Sequence, residues 1–130
     1  MICLAVYCGV DIVEIERVKK SISTCGDSFI ERVFTQGEVS YCESRKNARF
    51  QSYAARFAGK EAVSKAFGTG LGGGIKWRDI EIKNDEHGKP YVILQGEARN
   101  KFDSMGGKGM SISLSHCEHY AVAYAVIEAV

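Results

Sequence analysis

The segment from Ala48 to Phe67 carries the strongest helix pattern in this chain of 130 residues. Its apolar side chains recur at intervals of three and four residues, which places them on one face of a helix. The centre of that face consists of small residues, namely Ala55, Gly59, Ala62 and Ala66. Small side chains allow a helix backbone to approach its neighbour closely. The segment therefore predicts a long buried helix, which ends at the glycine-rich stretch 69–74.

The hydrophobic period changes from helical to alternating after residue 77. Before this change, an apolar run at 2–10 predicts a first strand. Helical spacing then predicts helices within 12–26 and 27–45, followed by the long helix. After the change, a short helix is predicted over 97–105, and strands are predicted over 80–83, 91–94, 110–114 and 120–126. We therefore expect one α+β domain over 1–130, with a mainly antiparallel sheet packed against the long helix.

Composition excludes several classes of function. A net charge of +1 argues against bulk electrostatic binding of nucleic acid. The apolar stretch Met1–Val10 is too short to span a bilayer, so no membrane association is expected. None of the five cysteines forms a Cys-x-x-Cys pair, which favours free thiols in a reducing compartment. We expect a cytoplasmic protein.

Two carboxylates lie in distinctive surroundings and suggest a metal site. Asp11 follows the first predicted strand, and Glu61 lies in the long helix near Arg56, Lys60 and Lys65. Mg²⁺ takes one or two protein carboxylates and completes its shell with water and phosphate oxygens, whose remaining charge needs nearby cations. If the two segments meet in space, the pattern predicts an enzyme that handles phosphate groups.

Each of these residues also has a purely structural explanation. Asp11 and Glu14 have the spacing of a capping box at a helix start, and the stretch Thr35-Gln36-Gly37-Glu38 also resembles a helix start. Helix caps are far commoner than Mg²⁺ ligands, although a capping carboxylate still has an oxygen free for a cation. Glu61 has the spacing of an exposed helix ion pair with the residue four positions later. Both explanations stay open at this point.

The stretch His116-Cys117-Glu118-His119 also contains side chains that bind metals. A structural zinc site needs four ligands, usually from two separated pairs, and no second pair is evident in the sequence. A hairpin turn after the alternating serines explains the stretch well. His116, at the end of the predicted strand, remains a candidate donor to phosphate because a protonated imidazole carries a charged N–H.

Several blocks together resemble the holo-acyl-carrier-protein synthases, the short class of 4′-phosphopantetheinyl transferases. The matching blocks are 9–15, 56–70 and 113–120, the last of which contains Ser-Leu-Ser-His. The segments 77–81 and 88–90 match as well, and all of them occur in the family's order over nearly the whole chain. One departure is Gly59, where the family commonly has alanine.

The resemblance implies a reaction and a set of site residues. Such enzymes move the phosphopantetheine arm of coenzyme A onto a serine of an apo acyl carrier protein and release adenosine 3′,5′-bisphosphate. By match to the motifs, Asp11 and Glu61 would hold Mg²⁺, and Glu61 and Lys65 would be catalytic. The serine proton would go to Glu61 or to a metal-held water. The residues implied to contact coenzyme A are Arg56, Lys65, Gly68, Lys89, Pro90 and His116.

The resemblance also implies partners. The active site would lie between the subunits of a homotrimer, and the protein substrate would be an acidic carrier protein that meets Arg17 and Lys20 on the first helix. One alternative is a transferase dedicated to a polyketide or peptidyl carrier domain. A second alternative, from another class, is a catalytically silent module that binds coenzyme A or carrier protein. The presence of Asp11, Glu61, Lys65 and His116 together speaks against that module.

Overall fold

A computed structural model describes residues 3–130. A long central helix lies against an antiparallel sheet, and shorter helices cover its other sides. In chain order, the strands and helices are β1 Ala5–Glu14, α1 Ile15–Cys25, α2 Asp27–Val33, α3 Gln36–Ser44, α4 Arg49–Ala66, β2 Ile80–Asn84, β3 Pro90–Leu94, α5 Gly96–Ser104, β4 Gly107–His116 and β5 Tyr120–Ala129. Short 3₁₀ turns occupy 46–48 and 77–79.

The strands form two antiparallel groups. The larger sheet has the order β1-β5-β4, and β2 and β3 form a separate hairpin. Helix α4 packs against β1 and β5 on one face of the larger sheet. The predicted α+β fold, with antiparallel strands packed against the long helix, is therefore confirmed.

The first strand and the long helix approach each other as closely as backbones allow. A Cβ atom added to Gly9 would lie 2.6 Å from the amide nitrogen of Ala66 and closer still to the carbonyl oxygen of Ala62. Both helix residues belong to the predicted stripe of small residues and are buried. Because Gly9, Ala62 and Ala66 carry little or no side chain, the middle of β1 lies directly against α4.

The prediction that Asp11 caps the first helix is wrong. Strand β1 continues to Glu14, and Asp11 lies inside it, paired with Ala123 of β5. Helix α1 begins at Ile15 without a side-chain cap. The local pattern was misleading because β5 offers a pairing partner as far as Glu14. Residue 2, the first of the strand predicted at 2–10, lies outside the described residues.

The helix start predicted at Thr35-Gln36-Gly37-Glu38 is confirmed, and a capping box forms there. The Thr35 side chain accepts a hydrogen bond from the Glu38 backbone N–H at 3.2 Å, and Glu38 accepts one from the Thr35 backbone N–H at 2.9 Å. The turn after β4 is also confirmed as a hairpin, closed by a 2.9 Å hydrogen bond from the Cys117 N–H to the Tyr120 carbonyl.

Candidate active site

Asp11, Glu61 and Lys65 come together where β1 crosses the second half of α4. The Nζ of Lys65 lies 3.0 Å from Oδ1 of Asp11 and donates to the Val10 carbonyl at 3.0 Å. Only 15% of the Asp11 side chain is exposed, compared with 50% for Lys65. Lys65 therefore reaches across to the strand, and within residues 3–130 no ion pair joins it to Glu61.

The electrostatics of Glu61 reflect this arrangement. Partial burial raises its pKa, and the negative charge of Asp11 raises the pKa further, whereas the Lys65 ammonium lowers it. Two carboxylates close enough to repel each other disfavour the charged form of Glu61. A cation placed between them would remove that repulsion.

A second group of predicted residues lines a cavity of about 280 Å³ beside the first half of α4. Arg56 enters it from the helix, His116 from the end of β4, and Pro90 from the start of β3. Lys89 is exposed in the turn beside Pro90, and its backbone N–H donates to the Asp85 carboxylate at 2.9 Å. The cavity therefore unites three of the residues predicted to contact coenzyme A.

Arg56 is a buried cation whose partners are all neutral. The residue is only 3% exposed, and its Nη2 donates to the side-chain oxygen of Asn84 at 2.7 Å. The centre of the guanidinium lies 4.2 Å from the centroid of the Tyr41 ring, and its Nε has no hydrogen-bond partner. Within residues 3–130 no carboxylate forms an ion pair with it. An uncompensated buried charge of this kind favours the binding of an anion.

The two groups lie apart within a single chain. Arg56 and Lys65 are nine residues apart on α4, which corresponds to roughly 14 Å along the helix axis. Asp11, Glu61 and Lys65 are not among the residues that line the cavity around Arg56. Gly68, also predicted to contact coenzyme A, ends the helix beyond Lys65, with a φ of +86°, and does not line the cavity either.

Lys60 does not belong to the site, although the sequence placed it among the flanking cations. Its side chain is completely buried, and its Nζ lies 2.8 Å from Oε1 of Glu38. Of the three cations near Glu61 in the sequence, Lys60 therefore pairs with Glu38 and Lys65 with Asp11, whereas Arg56 has no carboxylate partner within residues 3–130. Tyr41 and Asn84, which hold Arg56, were missed because both are distant from it in sequence and carry no motif.

The two predicted carrier-contacting residues are exposed on α1. Arg17 lines a second cavity, of about 360 Å³, whose other walls include Phe29 and Phe57. Lys20 lies one turn further along the helix and is exposed. The exposed side of α1 thus combines positive charge with a neighbouring cavity that has both apolar and polar walls, the latter including Glu14.

Two further findings concern metals and membranes. Residues 3–130 contain no cluster of three or more histidine, cysteine, aspartate or glutamate side chains that could hold a metal ion by themselves. A cation at Asp11 and Glu61 would therefore need most of its ligands from water and substrate. Among the described helices, none has the length and hydrophobicity needed to cross a bilayer.

Comparison with known proteins identifies the family. The family model of the 4′-phosphopantetheinyl transferase superfamily matches residues 7–125. The holo-[acyl-carrier-protein] synthase of Ruminiclostridium cellulolyticum is 59% identical over 92% of this chain and 89% of its own length. The corresponding synthase of Koribacter versatilis is 43% identical over 92% of this chain and 95% of its own length.

Solved structures agree with this assignment. The Bacillus anthracis holo-(acyl-carrier-protein) synthase, in complex with CoA (3′,5′-ADP), has a TM-score of 0.80 at 36% identity and covers 98% of this chain and 100% of its own. The Helicobacter pylori synthase, in complex with coenzyme A, has a TM-score of 0.81 at 32% identity and covers 92% of this chain and 98% of its own. The chain therefore belongs to the 4′-phosphopantetheinyl transferase superfamily, within its holo-[acyl-carrier-protein] synthase group of enzymes.

Proposed function

We propose that this enzyme transfers the 4′-phosphopantetheine moiety of coenzyme A to a serine of an apo acyl carrier protein, with Mg²⁺ as cofactor, and releases adenosine 3′,5′-bisphosphate. The proposal is carried by two different groups of side chains that suit phosphates. Two carboxylates and a lysine form the first group, and the buried Arg56 belongs to the second. Coenzyme A carries both a pyrophosphate and a separate phosphate monoester. The Helicobacter pylori relative was solved with coenzyme A bound.

Asp11 and Glu61 are the residues that would hold Mg²⁺. They fit this ion because Mg²⁺ takes few protein carboxylates and because the charge of Asp11 already raises the pKa of Glu61, a repulsion that a cation relieves. When bound, Mg²⁺ supplies positive charge to the pyrophosphate oxygens as the phosphoryl group is transferred. Phosphoryl transfer of this kind depends mainly on positioning and charge neutralisation, and these side chains can supply both.

Lys65 supplies a second positive charge beside the two carboxylates. Its side chain is half exposed and ends 3.0 Å from Asp11, so it can turn towards a pyrophosphate without leaving the site. We assign Lys65 to neutralise charge on the pyrophosphate. Arg56 and His116 are assigned to the nucleotide end of coenzyme A, because both side chains line the same cavity.

We also propose a homotrimer with active sites between subunits. The two groups are separate within one chain, and we assign a single coenzyme A to Lys65 of one subunit and Arg56 of the next. The sheet face opposite α4 supports association because it exposes apolar side chains that include Val10 (51%), Ile12 (63%) and Tyr124 (47%). Large exposed apolar patches commonly mark interfaces between proteins.

Subunit mixing tests this arrangement. Asp11→Ala and Arg56→Ala would each inactivate a homotrimer, because each removes one half of every site. After unfolding and refolding the two variants together, about a quarter of the sites would combine an intact half from each chain under random assembly. Recovery of activity on mixing supports the shared site. If the mixture stays as inactive as its components while the trimer forms, each site lies within one chain.

The carrier protein would dock on α1. Acyl carrier proteins are the acidic partner that the resemblance implies, and Arg17 and Lys20 present exposed positive charge beside a cavity with partly apolar walls. Complementary charge steers the approach of two proteins and orients their contact. We assign Arg17 and Lys20 to carrier recognition and not to the binding of coenzyme A.

A reducing compartment such as the cytoplasm suits the enzyme. The described cysteines are all free thiols, and Cys3, Cys8, Cys25 and Cys117 are exposed. Exposed thiols persist where glutathione and thioredoxin keep them reduced.

The reaction itself is tested by its small product. We expect adenosine 3′,5′-bisphosphate to accumulate when the enzyme, coenzyme A, an apo acyl carrier protein and Mg²⁺ are combined. Chelation of the metal should stop the accumulation. Undiminished release of the nucleotide in the presence of a chelator would contradict the metal requirement but not the transfer reaction.

A further inference from the structure

The side chain of Asn84 joins three elements around Arg56. Its Oδ1 accepts from Nη2 of Arg56 at 2.7 Å, and its Nδ2 donates to the Gly88 carbonyl at 3.2 Å and lies 3.4 Å from the Tyr41 hydroxyl. A guanidinium can only donate and a carbonyl can only accept, so the opposite orientation of the amide would lose both contacts. Asn84 is therefore fixed between α3, α4 and the turn that precedes β3.

Tyr41 holds the same guanidinium from another direction. The ring centroid lies 4.2 Å from the Cζ atom of Arg56, a distance typical of a cation–π contact. The aromatic face and the Asn84 amide fix the orientation of the guanidinium without neutralising its charge. The Nε of Arg56 stays buried and without a hydrogen-bond partner.

This arrangement keeps a full positive charge ready for a ligand. A carboxylate in the place of Asn84 would satisfy the guanidinium and compete with any incoming anion, whereas a neutral amide leaves the charge available. His116 enters the same cavity, so a second nitrogen donor is available to one anion there. A compact anion such as a phosphate monoester matches two such donors.

We infer that Asn84 and Tyr41 are positioning residues, which orient Arg56 towards a phosphate monoester in the cavity and so determine the preference of the enzyme for nucleotides that carry one. The inference rests on the proposed function, in which that monoester is the 3′-phosphate of coenzyme A. Both side chains line the same cavity as Arg56. Their effect is expressed through the guanidinium.

The first test replaces the neutral amide by a carboxylate. In Asn84→Asp the acceptor is retained, but a negative charge lies beside Arg56. We expect the affinity for coenzyme A, measured by calorimetry in the presence of Mg²⁺, to fall about tenfold or more, equivalent to about 1.4 kcal/mol. The affinity for 3′-dephospho-coenzyme A should change much less. Asn100→Asp, on the exposed side of α5, adds the same charge and should alter neither affinity.

The second test separates the aromatic face from the hydroxyl of Tyr41. Tyr41→Phe keeps the ring on the guanidinium and loses only the long 3.4 Å contact with Asn84, so it should retain the preference for coenzyme A. Tyr41→Leu removes the ring and should reduce that preference severalfold. Unfolding curves of all variants show whether a loss of affinity reflects a loss of folded protein.

The outcomes distinguish this inference from the proposed function. A selective loss of affinity for coenzyme A in Asn84→Asp and Tyr41→Leu supports it. An equal loss for both ligands, in a protein that still modifies the carrier, overturns the positioning role and leaves the transferase assignment intact. Equal affinity of the wild type for both ligands overturns the inference and the assignment of the monoester to this cavity. A wild type that neither binds coenzyme A nor modifies a carrier overturns both proposals.

Discussion

The Nζ of Lys60 lies 2.8 Å from Oε1 of Glu38, and both side chains are completely buried. Lys60 also donates to the carbonyls of Trp77, at 3.1 Å, and Ile80. The other carboxylate oxygen of Glu38 accepts the backbone N–H of Ile82 at 2.8 Å. The pair therefore connects α3 and α4 to the start of β2, and so anchors the hairpin that forms one wall of the cavity around Arg56.

Removal of one member of this pair should destabilise the fold strongly. We expect Lys60→Met to lower the free energy of unfolding by about 3–5 kcal/mol, because it leaves the Glu38 carboxylate buried without a counter-charge. Lys60→Met combined with Glu38→Leu should cost clearly less than the sum of the two single changes. Urea denaturation of the four proteins at neutral pH measures this coupling. Strictly additive losses would show that the two charges do not depend on each other.

The Lys60–Glu38 pair also illustrates how far the sequence could predict the structure. The capping role of Glu38 was predictable because its partner, Thr35, lies within one helical turn. Its ion pair with Lys60 was not, because the partner lies on another helix and no local pattern marks it. The same limit applies to Asn84 and Arg56. Local period and turn signals thus predicted the elements and the α+β class, whereas neutral side chains that position charged ones became visible only in three dimensions.

Asp11 shows the opposite case, in which the residues match a local capping pattern but the cap does not form. Asp11 and Glu14 match a capping box, yet both lie in β1 because β5 continues to pair with that segment. The family resemblance implied that Asp11 lies near Glu61, and the residues themselves made the meeting of the two segments a condition of the predicted phosphate site. The close backbone contact at Gly9 explains why they meet.

Glu61→Gln should separate stability from activity. We expect the transfer rate to fall about a hundredfold or more, because positive charge on the phosphoryl oxygens is worth several kcal/mol and each 1.4 kcal/mol is a factor of ten. In the absence of metal, the variant should nevertheless unfold at a higher temperature than the wild type at neutral pH. Burial and the charge of Asp11 raise the pKa of Glu61, so its ionised form is disfavoured in the folded protein.

The pH dependence of the stability difference between Glu61→Gln and the wild type follows from the raised pKa of Glu61. Because the folded-state pKa of Glu61 is raised, protonated Glu61 favours the fold at low pH, and this advantage is lost as the pH rises through the folded-state pKa. Glutamine cannot ionise, so the stability advantage of Glu61→Gln should appear as the pH rises and vanish at acid pH. Thermal unfolding of both proteins between pH 4 and pH 8, without metal, measures it. A variant of equal or lower stability throughout that range would contradict a raised pKa of Glu61 in the folded protein.

Gly9→Ala should disturb the contact on which the metal pair depends. The added methyl group would meet the backbone of α4 at Ala62 and Ala66, which cannot rotate away as a side chain could. We expect a loss of about 1–3 kcal/mol in unfolding free energy, together with reduced activity as Asp11 moves away from Lys65. Gly109→Ala in β4 is the matched control, because its nearest neighbour is the end of the Glu128 side chain at 3.7 Å. Equal tolerance of both substitutions would argue against the close packing at Gly9.

Arg17→Glu should weaken recognition of the carrier protein alone. We expect the KM for an acyl carrier protein to rise about tenfold, because the change removes an attraction and adds a repulsion, each worth up to about 1 kcal/mol. The KM for coenzyme A should stay as in the wild type. Lys108→Glu, at the opposite end of β4 from His116, makes the same change of charge and serves as the control. An unchanged KM for the carrier would show that Arg17 does not contribute to carrier docking.

Intact mass spectrometry of an apo acyl carrier protein tests the central claim most directly. The carrier would be incubated with the enzyme, coenzyme A and Mg²⁺, with and without EDTA. The account predicts a gain of about 340 Da, the mass of one phosphopantetheine arm, which disappears when EDTA is present. An unchanged mass across several carriers, from a folded protein that binds coenzyme A, would contradict the account and indicate a silent binding module.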